Sequence, residues 1–255
     1  MTLKPSFSYH MYHFFWSGLD LLFPPSCGGC GKLGARWCID CQQKMEPVPL
    51  PICEICGAPQ NFKGICQGCQ TTRPAFSALR SCAIYKEPVR PALIKMKYRN
   101  EIGLGEALAW NLAMYLEELG WQADVLIPIP LSEQRLAERG YNQVDLIAHP
   151  LARLTGCQYL PKALRRVRHT ISQVGLSGSE RRVNVNGAFH AEARVVQEKI
   201  VLVLDDIATT GATIQSASSS LLDAGAKKVY ALTFAKAMKR YGADYEKSLA
   251  ARPLC

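Results

Sequence analysis

The stretch Lys199-Ile-Val-Leu-Val-Leu-Asp-Asp-Ile-Ala-Thr-Thr-Gly-Ala-Thr-Ile214 decides how the rest of the chain is read. Its unbroken aliphatic run, Ile200 to Leu204, predicts a strand buried on both faces, as in a parallel sheet. The run leads into two adjacent carboxylates, Asp205 and Asp206, and then into the small polar turn Thr209-Thr210-Gly211-Ala212-Thr213. Ile214, Ser218, Leu221 and Leu222 follow at helical spacing. A strand that turns through glycine and hydroxyl residues into a helix aims backbone N–H groups at an anion, so the turn predicts a phosphate site. Two carboxylates would repel phosphate and must face another part of the ligand. A molecule with an anionic end and a hydroxyl-bearing ring suits both halves.

Outward from this stretch, further elements predict an open α/β sheet. Lys228 to Ala235 reads as a strong strand after a helix that ends near Ala224-Gly225, and strand, helix, strand in that order forms a parallel crossover. Upstream, Asp124-Val-Leu-Ile-Pro-Ile-Pro130 is another buried strand. It opens into Leu131 to Gln143, read as a loop, which gathers Arg135, Arg139, Gly140, Asn142 and Gln143 beyond a strand's carboxyl end, where such sheets bind ligands. Helices are expected over Leu104–Leu119, capped by Gly120, and through Val144–Leu154, closing at Gly156. Before them come a strand at Ala83-Ile84-Tyr85 and a helix carrying Lys95, Lys97 and Arg99. These three cations read as a solvated face, with a phosphate-facing role also open.

Residues 161–189 concentrate Lys162, Arg165, Arg166, Arg168, Arg181 and Arg182 against Glu180 alone. With no apolar period, the segment reads as a long loop or irregular hairpin. Arginine suits bidentate phosphate recognition, so a lid closing over pyrophosphate is one reading. A basic patch for nucleic acid, or no ligand at all, is the other. Asn184 to Phe189 is expected to re-enter the sheet.

The 255 residues, 48% hydrophobic and 20% charged, suffice for one substantial core plus a small module and exclude a disordered chain. A net charge of +9 favours anionic partners without naming one. Eight of the eleven cysteines form four Cys-x-x-Cys pairs: Cys27/Cys30, Cys38/Cys41, Cys53/Cys56 and Cys66/Cys69. Clustered pairs of this spacing predict structural zinc held by thiolates in a reducing compartment, here the cytoplasm, rather than disulfides. Sequential pairing and a crossed arrangement both fit the spacings. Few large apolar residues lie near the pairs, and a structural zinc contributes on the order of 10–16 kcal/mol to folding. Phe7 to Phe23 is aromatic and leucine-rich but contains His10, His13 and Asp20, so it reads as neither a leader nor a membrane span but as holding a short amphipathic helix around Trp16 to Leu22. The expected divisions are 1–23, a double zinc-ribbon module at 24–73, an α/β domain at 74–239 reached through the link Pro74–Ser81, and a polar tail at 240–255.

Residues 201–213, four apolar residues, two acids, two apolar residues and Thr-Thr-Gly-x-Thr, resemble the PRPP-binding motif of type I phosphoribosyltransferases, with Ala208 smaller than the aliphatic usual there. Pro128-Ile-Pro130 with Arg135 and Arg139-Gly-Tyr-Asn-Gln143 is similar to the ComF family, named for competence. So are Arg165, Thr170, Gln173, Ser177, Arg181, Asn184 and Ala188-Phe189, and so is the cysteine module. The resemblance implies a type I phosphoribosyltransferase-like fold, α/β with a central mostly parallel sheet, behind a small zinc-ribbon module. It implies that Asp205 and Asp206 hold the ribose hydroxyls and that Thr209, Thr210, Gly211, Ala212 and Thr213 cradle the 5′-phosphate. Arg135, Arg139 and Arg165 would meet the pyrophosphate with Mg²⁺, and residues before 124 would form the acceptor hood. Two functions fit: Mg²⁺-dependent phosphoribosyl transfer from PRPP to an unidentified acceptor, or a non-enzymatic role in competence and DNA use. In the second, PRPP or a nucleotide is a ligand, and single-stranded DNA or competence-machinery proteins are partners.

Overall fold

A computed structural model describes residues 24–98, 101, 103–167 and 187–238. The expectations for residues 1–23, Arg99, the arginine-rich stretch at 168–186 and the tail at 240–255 lie outside the described residues. In chain order the elements are α1 (Ile39–Gln43) and α2 (Gln67–Thr71) in the cysteine module, then β1 (Ala78–Ile84), α3 (Val89–Tyr98), α4 (Leu104–Leu119) and β2 (Val125–Pro128). They continue as α5 (Glu133–Arg139), α6 (Gln143–Thr155), β3 (Gln158–Tyr159), β4 (Leu164–Arg166) and β5 (Phe189–Ala191). The last are α7 (Ala193–Val196), β6 (Ile200–Ala208), α8 (Ala212–Asp223) and β7 (Lys228–Lys236).

Five strands pair in the order β1-β7-β6-β2-β3, every pair parallel. The central strand β6 has apolar residues on both faces because both are covered. Leu202 and Leu204 meet Leu126, Leu232 and Phe234 beneath α3, α4 and α6. Val201 and Val203, one residue out of phase, join Val125, Ile127 and Val229 beneath α8. Register sets the ligand end: Leu204 lies opposite Pro128 of β2 and Leu232 of β7, so β6 carries its acids past the end of β2.

Helix α4 spans the expected residues and ends on Gly120 in the left-handed conformation. Four expectations need correction. The strand with the acid pair runs on to Ala208, so Asp205 and Asp206 are strand residues. The stretch from Leu131 to Gln143 is not all loop but contains α5, capped by Ser132, whose hydroxyl accepts from the Arg135 amide, and by Gly140. Phe189 does not re-enter the main sheet; β5 pairs antiparallel with β4 in a separate two-stranded sheet. Finally, Pro74–Ser81 is no free link: the Ser77 amide donates to Val229, and β1 has begun by Ala78. Beyond it, the buried hydroxyls of Ser81 and Thr233 pair at 2.7 Å between β1 and β7.

The cysteine module is welded to this body. Ile55 shares a core with Phe76, Leu79, Ala208, Ile214 and Ala231, which joins the second ribbon to β1, β6, β7 and α8. The first ribbon lies against α3 and α4: Lys95 donates to the Cys27 carbonyl at 3.0 Å, and a Cβ on Gly28 would meet Leu104.

Candidate functional site

The eight paired cysteines form two quartets, Cys27/Cys30/Cys38/Cys41 and Cys53/Cys56/Cys66/Cys69, with each quartet's sulfurs within 4.8 Å of one another. The pairing is therefore sequential. Sulfur–sulfur separations are 3.6 Å for Cys27–Cys41 and Cys30–Cys38 and 3.7 Å for Cys56–Cys66. A regular ZnS₄ tetrahedron with arms of ~2.3 Å has edges near ~3.8 Å, so both quartets are shaped for structural zinc. Burial alone would raise the Cys27 and Cys53 thiols. Backbone amides, including Cys38 N–H at 3.4 Å and Cys66 N–H at 3.3 Å, outweigh it and bring them down to about 6 and about 7. Thiolates at these positions are ready to bind metal.

The second feature is a cleft of about 460 Å³ at the carboxyl end of the sheet. Its lining includes Asp205, Asp206, Thr209, Gly211, Ala212 and Thr213 together with Arg135, Arg139 and Arg166. Gly211 is the pivot between strand and helix, with φ 76°, a conformation costing other residues about 1–2 kcal/mol. Thr210 is absent from the lining; its hydroxyl accepts from the Ala212 amide at 3.3 Å and closes the turn.

Residues 139–143 hold the cleft together through unlike roles. Arg139 donates to Gln143 Oε1 at 2.7 Å, and its guanidinium lies 5.0 Å from the Tyr98 ring centroid. Gly140 ends α5, and the Tyr141 hydroxyl donates to the Met96 carbonyl. Asn142 caps α6 by accepting from Val144 and donates to the Ile129 carbonyl at 3.0 Å, which ties the turn after β2 in place. Gln143 passes the chain of contacts on, its amide 3.4 Å from Asp206 Oδ2.

Lys97 of α3 reaches the same oxygen, with Nζ 2.6 Å from Asp206 Oδ2 and the two side chains only 19% and 8% exposed. Burial would lower the Lys97 ammonium, but the carboxylates of Asp206 and then Asp205 carry it above its ordinary range. Asp205 is pushed up to about 8, by burial first and by the Asp206 charge second, with the Asp206 amide donating to its Oδ1 and the Lys97 charge pulling the other way.

Most of the expected ligand residues thus share one cleft. Arg165 faces elsewhere: it lies 3.7 Å from Glu192 and lines an adjoining cavity of about 1060 Å³ with Lys162 and Glu133. Its neighbour Arg166 lines both spaces. Burial, then the Arg135 charge, lowers the Arg166 guanidinium from its usual range. Lys97 is not the solvated cation expected. A signal for it was present, since Lys97 follows Val89 and Leu93 at four-residue steps and so continues the buried stripe of α3.

A family model of the double zinc ribbon domain matches residues 18–70, and one of the phosphoribosyl transferase domain matches residues 106–250. Competence protein F of Haemophilus influenzae is 28% identical over 208 residues, which cover 78% of this chain and 90% of that protein. The DNA utilization protein YhgH of Shigella flexneri is 32% identical over 184 residues, 70% of this chain and 81% of that protein. Glutamine phosphoribosylpyrophosphate amidotransferase from B. subtilis, complexed with ADP and GMP, aligns at 22% identity and a TM-score of 0.39 over 55% of this chain, which spans 30% of that structure. The class is a phosphoribosyltransferase-type α/β fold behind a double zinc ribbon. Within it, the chain belongs to the ComF family. Among the described residues, no helix is long and apolar enough to cross a membrane.

Proposed function

We propose that the cleft binds PRPP and that the protein transfers its phosphoribosyl group to an acceptor with release of pyrophosphate. One observation carries the reading: an acid pair near the end of β6, the phosphate-type turn that follows the strand, and three arginines lining the same cleft. Asp205 and Asp206 accept from the ribose 2′- and 3′-hydroxyls, while Thr209, Gly211, Ala212 and Thr213 surround the 5′-phosphate, with Thr210 shaping their turn. Arg135, Arg139 and Arg166 face the pyrophosphate.

Rupture of the bond from C1′ to the pyrophosphate oxygen leaves positive charge on the ribose ring and negative charge on the leaving group. The carboxylates lie on the side of the first and the guanidiniums on the side of the second, so both developing charges meet fixed partners. Among the described residues, the two cysteine quartets are the groups of three or more ligating side chains close enough to hold a metal. Magnesium fits this cleft as an ion carried by the substrate's own phosphate oxygens and water, where it would offset their charge. The test is release of pyrophosphate from PRPP with magnesium across candidate acceptors, including glutamine and ammonia. Release that depends on an acceptor and falls by about 10²–10³ on Arg139→Ala supports transfer, and no release with any acceptor counts against it.

The names of the relatives, a competence protein and a DNA utilization protein, favour a second reading alongside the net charge of +9. Here PRPP or a nucleotide is a ligand, and the protein serves competence by contacting single-stranded DNA. Such binding weakens steeply as salt rises; binding that is absent or indifferent to salt contradicts it.

A further inference from the structure

Two adjacent carboxyl groups in a half-closed cleft cannot both carry charge cheaply without a cation nearby. Lys97 Nζ at 2.6 Å and the Gln143 amide at 3.4 Å both fall on Asp206 Oδ2, and the Asp205 carboxyl also meets the Asp206 side chain. The lysine is itself braced: Met96 beside it is buried, and the Met96 carbonyl receives the Tyr141 hydroxyl. Lys95, two residues earlier, is tied to the first ribbon at the Cys27 carbonyl.

We propose that Lys97 is a positioning residue for the ribose end of the site: its ammonium anchors Asp206 through Oδ2 and supplies the cation that lets the acid pair face a ribose diol. The inference rests on the PRPP reading above. Other charged or titratable groups around the cleft are Asp205 on β6, Tyr85 past β1, Arg135 and Arg139 on α5, and Arg166 on β4. Lys97 is in direct contact with the pair, its Nζ 2.6 Å from Asp206 Oδ2, whereas Arg166 acts on Asp205 through its charge. A carboxylate accepts hydroxyl hydrogen bonds about twice as strongly as a neutral carboxyl. Affinity for PRPP should therefore climb as Asp205, held up to about 8, loses its proton. Lys97 works against that elevation, so its removal moves the climb to higher pH.

The experiment is calorimetry of PRPP with magnesium on the full-length, zinc-loaded protein and its Lys97→Met and Lys97→Arg variants, from about pH 6.5 to 9.5. Lys97→Met should shift the midpoint of the affinity rise upward by about one pH unit and weaken binding about tenfold below it. Lys97→Arg, which keeps the charge, should stay near the wild-type midpoint and shows that the position tolerates replacement. If the wild type binds and Lys97→Met leaves the midpoint in place, whether affinity is unchanged or uniformly reduced, Lys97 is a packing residue and the inference is overturned while the PRPP reading stands. If the wild type binds no PRPP at any pH, the PRPP reading fails and this role fails with it.

Discussion

At the carboxyl end of β6, two carboxyl groups share one lysine, and the arrangement costs stability. Asp205 keeps its proton to about 8 in the folded protein, far above the usual carboxylate range. Between those values the native state binds a proton that the unfolded chain has released, so stability declines as pH rises through the window. Asp205→Asn should therefore flatten this decline and stabilise the protein at pH 8 by about 0.5–2 kcal/mol while weakening PRPP binding. Denaturant unfolding of both proteins near pH 5 and pH 8 measures it; equal slopes with pH would contradict the assignment. The acid pair and its turn were legible in the sequence because they are contiguous, so neighbours along the chain are neighbours in the cleft. Lys97 reaches Asp206 from 109 positions away, and only tertiary packing of α3 brings it there. Arg165 and Arg166 show another limit, since strand phase decides which arginine enters the cleft and three-residue strands leave no pattern to read.

Among the elements, those with a strong apolar period were readable and those without one were not. Helix α4 was expected at its observed bounds because eight of its residues are buried at helical spacing. Helix α5 has no buried residue, so its sequence shows no apolar period and reads as loop. The docking of the second ribbon was equally hidden. At Gly57, φ is 60° and an added Cβ would sit 2.4 Å from the Leu79 carbonyl oxygen, where β1 approaches the metal turn. Leu79 donates to the Ile55 carbonyl at 2.7 Å, Arg80 donates to the Glu54 carbonyl at 2.9 Å, and Lys236 donates to the Cys56 carbonyl at 3.2 Å. Gly57→Ala should push the ribbon away from β1 and destabilise the protein by about 1–3 kcal/mol with zinc content unchanged. Thermal unfolding together with metal analysis reads both; loss of zinc without loss of stability would contradict the docking.

Across the whole molecule, the two ribbons brace different sides of one cleft. The first holds α3, which carries Lys97, and the second packs on Ala208 and Ile214 at either end of the phosphate-type turn. Metal and ligand should therefore be coupled although the quartets lie outside the cleft lining. Stripping zinc with a strong chelator is expected to lower both the unfolding temperature and the affinity for PRPP, and adding zinc back should restore both. Full PRPP affinity in zinc-free protein would show that the ribbons are independent of the site. The most direct test of the cleft itself is calorimetric titration of PRPP with magnesium into the wild type, Asp205→Ala and Asp206→Ala. The wild type should bind one equivalent, and each alanine variant should bind about 10–100-fold more weakly, the worth of a hydrogen bond to a charged group; undiminished binding by both variants would show that PRPP is not held where the acids stand.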